Sequence, residues 1–130
     1  MEIKEKTDKA GLVEDYIRHT MGTENHYLHW DRRFKYTDGV KYVADTCGAH
    51  WLIDAIASHQ PAIIKKGGSR FQVWQFEVKG SKYLLSGWTD TPGCSSLLAK
   101  QTIEYTDFPA ELMPFEFWVE SGVLLLPAEH

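Results

Sequence analysis

Apolar residues recur at helical spacing through the first half of the chain and alternate with polar ones through much of the second. From Asp8 to about Thr20, Leu12, Val13, Tyr16 and Ile17 fall at i, i+1, i+4 and i+5, the single apolar stripe of a first helix. Gly22, just beyond, suits a left-handed C-terminal cap. Val40, Val43, Ala44, Cys47, Trp51, Ala55 and Ile56 make a longer stripe at spacings of three and four, with Thr37 or Asp38 placed to cap its start. Pro61 is expected to stop it, because proline pushes the preceding residue out of the helical region. Gly48 lies mid-stripe and costs about 1 kcal/mol in a helix interior, so a break near Thr46-Cys47-Gly48 is expected. Between the two stripes, Tyr27, Trp30 and Phe34 sit in a segment with no clean period, compatible with a short helix or an irregular aromatic stretch.

From Ala62 onward the pattern is that of strands. Phe71–Val78 is rich in aromatic and β-branched residues, Lys79-Gly80-Ser81-Lys82 is a turn, and Tyr83–Trp88 returns. Thr89–Gly93 is a punctuated loop, Leu97–Tyr105 a third strand, and Asp107–Met113 a capped single turn of helix. The last hairpin, Phe115–Leu126, turns at Ser121-Gly122; Phe115, Phe117 and Val119 share one face, and Glu116, Trp118 and Glu120 the other.

These elements predict an α+β fold: N-terminal helices packed on one face of a four- to five-stranded, mostly antiparallel sheet. The 130 residues read as one domain, with residues 1–25 a helical extension, 26–61 a helical part and 62–130 a sheet part. The stripe of Val40, Val43, Ala44, Trp51 and Ile56 is expected to cover one side of the sheet, leaving Trp118 on an open opposite side.

Charge sharpens this picture. The net charge is −4, and the last thirty residues account for all of it: Glu104, Asp107, Glu111, Glu116, Glu120 and Glu129 stand there without one Lys or Arg. An acidic, aromatic-bearing hairpin favours a protein partner with a basic surface and disfavours nucleic acid, since like charge repels a polyanion. No apolar run approaches the ~20 residues of a membrane helix, and the charged Met1–Lys6 lacks the apolar core of a signal peptide, so a cytoplasmic location is expected. Cys47 and Cys94 are expected to be free thiols.

Candidate chemistry is sparse. His26-x-x-His29 followed by Cys47-x-x-His50 could supply four zinc ligands, although Cys47 also lies on the apolar stripe, where a thiol acts as a small hydrophobe. Cys47, His50 and Asp54 fall at i, i+3 and i+7, the spacing of a thiol–imidazole–carboxylate relay. Lys65, Lys66 and Arg70 gather around Gly67-Gly68, but the glycine–lysine order of a phosphate-cradling loop is missing and a strand follows. No cofactor is assigned. Seventeen aromatic residues (five Trp, six Tyr, six Phe) exceed the needs of one modest core, which suits a binding surface.

Four stretches, Tyr36–Val40 (YTDGV), Gly48–Ile56 (GAHWLIDAI), Gln101–Pro109 (QTIEYTDFP) and Gly122–Pro127 (GVLLLP), resemble a family of small bacterial and phage proteins of unknown function. The resemblance spans about residue 26 onward and implies a compact domain with a role on mobile elements. Taken together, the expectation is a non-enzymatic protein-binding module, an anti-CRISPR-like inhibitor of a host defence complex that occludes a basic surface. Glu104, Asp107, Glu116, Trp118 and Glu120 are its expected contacts. A zinc- or thiol-dependent enzyme using His26, His29, Cys47 and His50 is the alternative.

Overall fold

The computed structural model describes residues 9–20, 26–28, 34–65, 71–89, 96–106 and 108–129. Its elements are α1 (Lys9–His19), β1 (His26–Leu28), β2 (Lys35–Thr37), α2 (Asp38–Cys47), α3 (His50–Lys65), β3 (Phe71–Lys79), β4 (Lys82–Trp88), β5 (Leu97–Ile103), β6 (Phe115–Glu120) and β7 (Val123–Leu125), with 3-10 turns at Ala110–Leu112 and Pro127–Glu129. The α+β class is as expected, but the sheet is larger and mixed. Seven strands run in the order β1-β2-β7-β6-β3-β4-β5. All pair antiparallel except β2 with β7, which are parallel.

The two additional strands lie in the aromatic segment for which the sequence offers no period. Three residues each are too few to display an alternation. Their order comes from elsewhere: β2 is set against β7 through Lys35↔Val123 and Tyr36↔Leu124. The helical part also extends further than expected. Pro61 lies inside α3, which continues to Lys65, so the sheet region opens at Phe71 and not at Ala62. A proline within a helix removes one backbone donor and usually kinks or ends it. Burial of Leu52, Ile53, Ile56 and Ala57 before it and Ile63 after it holds the segment against the core through that defect.

The expected break at Gly48 is present: Gly48 caps α2 at φ 63°, a left-handed conformation in which its N–H donates to Ala44 O. Thr37 caps the other end, its Oγ1 accepting from Val40 N at 3.4 Å. The predicted hairpin closes with Ser121 and Gly122 both at positive φ, the pattern of a tight primed turn.

Among the described residues, helices pack on one face of the sheet only. Val40, Val43, Ala44 and Cys47 from α2 and Leu52, Ile53 and Ile56 from α3 meet Trp74, Phe76, Leu85, Phe117, Val119 and Leu124 in one core cluster. Trp51 adds an edge-on contact to Phe76, with ring centroids 5.6 Å apart. The helix expected to be an extension is anchored here too, since Val13 of α1 is fully buried in the same cluster.

Inside this core, Gln60 and Gln72 exchange two amide hydrogen bonds of 2.9 Å, and Trp74 Nε1 donates to Gln72 Oε1 at 2.8 Å. Outside it, Glu129 closes the structure. Its carboxylate accepts from Thr37 Oγ1 at 2.6 Å and Gly39 N at 2.9 Å, two donors at the start of α2, and from Leu126 N at 2.9 Å. A Cβ on Gly39 would lie 2.6 Å from that carboxylate. Glu129→Ala and Gly39→Ala are therefore each expected to cost about 1–2 kcal/mol, the usual worth of a helix cap. The double variant should be little worse than the poorer single one, because both remove one contact. Urea midpoints of the three proteins check this.

Candidate protein-binding face

Side chains alternate between the faces of a strand, so the pairing registers fix which residues share the face without helices. Leu125 lies opposite Trp118, Trp118 opposite Val73, Val73 opposite Trp88, and Trp88 opposite Leu97. These residues make one continuous apolar row across β7, β6, β3, β4 and β5. Val73 and Leu125 are buried yet absent from the main core cluster, as expected for residues on the far side of the sheet. Leu97, at the end of the row, is 45% exposed, and the two tryptophans are half-buried.

The indoles are oriented by their own strands. Trp118 Nε1 donates to Glu116 Oε1 at 3.2 Å and Trp88 Nε1 to Ser86 Oγ at 3.0 Å. Glu116 and Ser86 both pair with Gln75, so the two rings lean the same way along the sheet. Phe71 meets Trp118 edge-on, with ring centroids 5.3 Å apart. Both indole N–H groups are thus engaged within the sheet.

Charge is distributed unevenly around the row. Glu116 and Glu120 bracket Trp118 on β6, while Lys100 on β5 and Lys79 and Lys82 at the far ends of β3 and β4 are exposed. Beside Leu125 the face deepens into a cavity of about 330 Å³, lined by His26, Thr37, Glu120, Ser121, Val123, Leu125 and Glu129. Glu116 and Glu120 thus stand beside the β6 member of the row, and Lys100 lies on β5.

Of the contact residues expected from sequence, the structure brings Glu116, Trp118 and Glu120 together on this face. Glu104 sits apart, at the end of β5, with Lys82 Nζ 3.3 Å from its carboxylate. Asp107 lies outside the described residues. The C-terminal acids do not act as one patch, since Glu129 is turned inward as a cap. The hairpin is also no free ribbon: β6 and β7 occupy the middle of the sheet, and one of their faces is covered by helices.

Phe71, Val73, Leu97 and Leu125 were not expected at the site. A local signal for part of the set was available. Ser86-x-Trp88 and Glu116-x-Trp118 repeat a polar residue two positions before tryptophan, the spacing at which a strand lets one side chain bond the next on the same face. Gln72-x-Trp74 follows the same rule on the buried face.

Of the residues of the zinc and thiol alternative, His26, Cys47 and His50 are described, and they do not form a group of metal ligands. Cys47 is 1% exposed in the core beneath the helices, and burial pushes its thiol up to about 11. His26 pairs with Thr37 and lines the cavity on the other side of the sheet. His50 Nε2 lies 2.6 Å from Asp45 Oδ1, so it is engaged at the surface, and hydrogen bonds from Lys41 and then His50 hold the Asp45 carboxyl below its ordinary value. His29 lies outside the described residues. Among the described residues no group of three or more His, Cys, Asp or Glu is disposed to hold a metal ion. Of the basic loop, only Lys65 is described. No helix among the described residues is long and apolar enough to cross a membrane.

The profile of a family of unknown function (DUF6876) matches residues 12–130. The chain belongs to this family. Its match takes in most of α1 as well as the whole sheet, in keeping with the burial of Val13 in the common core. No curated protein and no solved structure matches the chain.

Proposed function

We propose that this protein is a non-enzymatic protein-binding module that works in the cytoplasm and docks a partner with basic residues on its open sheet face. The observation that carries the reading is the apolar row from Leu125 to Leu97, two of whose members are tryptophans, with Glu116 and Glu120 on either side of Trp118. Interfaces draw most of their affinity from a few aromatic anchors at the centre, while charges at the rim set orientation and encounter rate. Glu104 and Asp107, grouped with these residues in the sequence, are assigned no contact. Inhibition of a host defence complex, as anti-CRISPR proteins perform it, is the more specific form suggested by the family resemblance, and it adds no residue to the site.

The test is retention of proteins from a lysate of the native host at low salt. Wild type is compared with Glu116→Lys/Glu120→Lys and with Trp88→Ser, each shown to be folded by circular dichroism. A partner held by wild type should be retained about tenfold less by either variant. Undiminished retention by both would remove the open face from consideration.

A further inference from the structure

The sheet ends in two unequal edges. β1 is three residues long, whereas β5 is seven, Leu97–Ile103, and carries one charged residue, Lys100. No residue of β5 is buried, while β3, β4 and β6 each contain several that are. A long strand with an open edge is a template for pairing with another strand.

The registers show which backbone groups β5 leaves over. Gly80, at φ 65°, and Ser81 form a two-residue turn, so the closing pair Lys79↔Lys82 is hydrogen-bonded. Bonded and non-bonded pairs then alternate along an antiparallel ladder. Leu84 and Ser86 turn their backbone groups towards β3, and Tyr83, Leu85 and Gly87 turn theirs towards β5. Thr89 continues the second set, its N–H donating to Ser96 O at 3.0 Å. Ala99, Gln101 and Ile103, opposite Gly87, Leu85 and Tyr83, are therefore bonded to β4. Lys100 and Thr102 direct N–H and C=O away from the sheet, where no described strand lies.

We propose that two copies of the chain join edge to edge, their β5 strands pairing antiparallel about a two-fold axis at Thr102. The choice of a second copy rests on the order of charges. Lys100 stands two residues before Thr102, and Glu104 two residues after it. Antiparallel pairing centred on Thr102 sets each Lys100 opposite Glu104 of the second copy, twice by symmetry, and Thr102 opposite itself. Opposite charges and paired threonines are both favourable cross-strand neighbours. A centre at Lys100 would set lysine against lysine, which disfavours that register. The Glu104 side chain is 80% exposed, and Lys82 Nζ lies 3.3 Å from its Oε2. A carboxylate accepts through two oxygens, so the Lys100 ammonium adds to this contact without displacing it. The axis runs perpendicular to the sheet, and the helices of both copies lie on the same side of one continuous sheet.

Sedimentation equilibrium of the intact protein over about a hundredfold range of concentration is the test. Wild type is expected to pass from monomer to dimer. Thr102→Pro removes an outward donor and none that β4 uses, a position at which an edge strand tolerates proline. With its circular dichroism unchanged, it should weaken dimerisation at least about tenfold. Lys100→Glu sets like charges opposite each other twice and should weaken it about tenfold, while Lys100→Glu/Glu104→Lys should return it to within about threefold of wild type. A wild type that is monomeric throughout, a dimer that Thr102→Pro and Lys100→Glu leave intact, or a double reversal no better than Lys100→Glu each overturns the proposal. The pairing uses the sheet edge, so it stands or falls independently of retention by the open face.

Discussion

Replacing Gln72 with leucine is expected to lower the melting temperature by about 10 °C, from a loss of about 2–4 kcal/mol. Gln72 is 2% exposed, exchanges both amide bonds with Gln60 and accepts the Trp74 indole N–H. Leucine fills nearly the same volume, so packing changes little and the loss is electrostatic. The buried Gln60 amide loses its partner and the Trp74 donor its acceptor, each unmet group costing about 1–3 kcal/mol. Gln60 keeps one local option, the Ile56 carbonyl 3.3 Å from its Nε2, which limits the damage. The diagnostic control is the triple variant Gln60→Leu/Gln72→Leu/Trp74→Phe. Removing Gln60, Gln72 and the Trp74 N–H together leaves none of these three unmatched, so it should recover much of the stability. If thermal unfolding shows the triple variant no better than Gln72→Leu, the loss has another origin.

Gly87→Ala is expected to destabilise by about 2–3 kcal/mol, at the upper part of the usual range for overpacking. The direction is informative because glycine normally weakens a strand interior, and its replacement at a compatible site stabilises by about 0.4–1 kcal/mol. Here Gly87 pairs directly with Trp74, and an added Cβ would stand 2.6 Å from the indole ring. The ring has no retreat: Trp74 is fully buried, its Nε1 is held by Gln72, and His59 lies against it with centroids 5.7 Å apart. Shortening the ring should relieve the clash. In a Trp74→Leu background the same Gly87→Ala change is expected to cost less than in wild type, a coupling that urea denaturation of the double-mutant cycle measures.

Local chemistry was legible in the sequence where a residue acts on its near neighbours. Thr37 as cap, Gly48 as break and Ser121-Gly122 as turn follow from side-chain and backbone preferences within a few residues, and each is found in place. The inward face of β6, Phe115, Phe117 and Val119, follows from simple alternation. What was not legible depends on partners far along the chain. Strands β1 and β2 exist because β7 receives them, and the short His26–Leu28 and Lys35–Thr37 segments carry too little pattern to announce it. Pro61 stays helical because core contacts on both sides of it outweigh a local preference. Glu129 shows the same limit for charge. Counted in sequence it belongs to an acidic tail, yet its carboxylate is spent on Thr37 and Gly39, some ninety residues earlier. The candidate face illustrates it most fully, since Leu125 and Leu97 become members of one row only through four successive registers.

The insertion of β7 between β2 and β6 constrains how the protein can be made. On the ribosome, β1 and β2 emerge early but have only each other to pair with, and a two-stranded ribbon is marginal in water. Their place beside the growing sheet becomes available when residue 125 clears the exit tunnel, roughly 4–18 s after residue 37 at ~5–20 residues per second. Until residues 71–88 emerge, the nascent helices carry apolar surface with no sheet to cover it. Closure of the sheet around β2 therefore waits on the last-made strand.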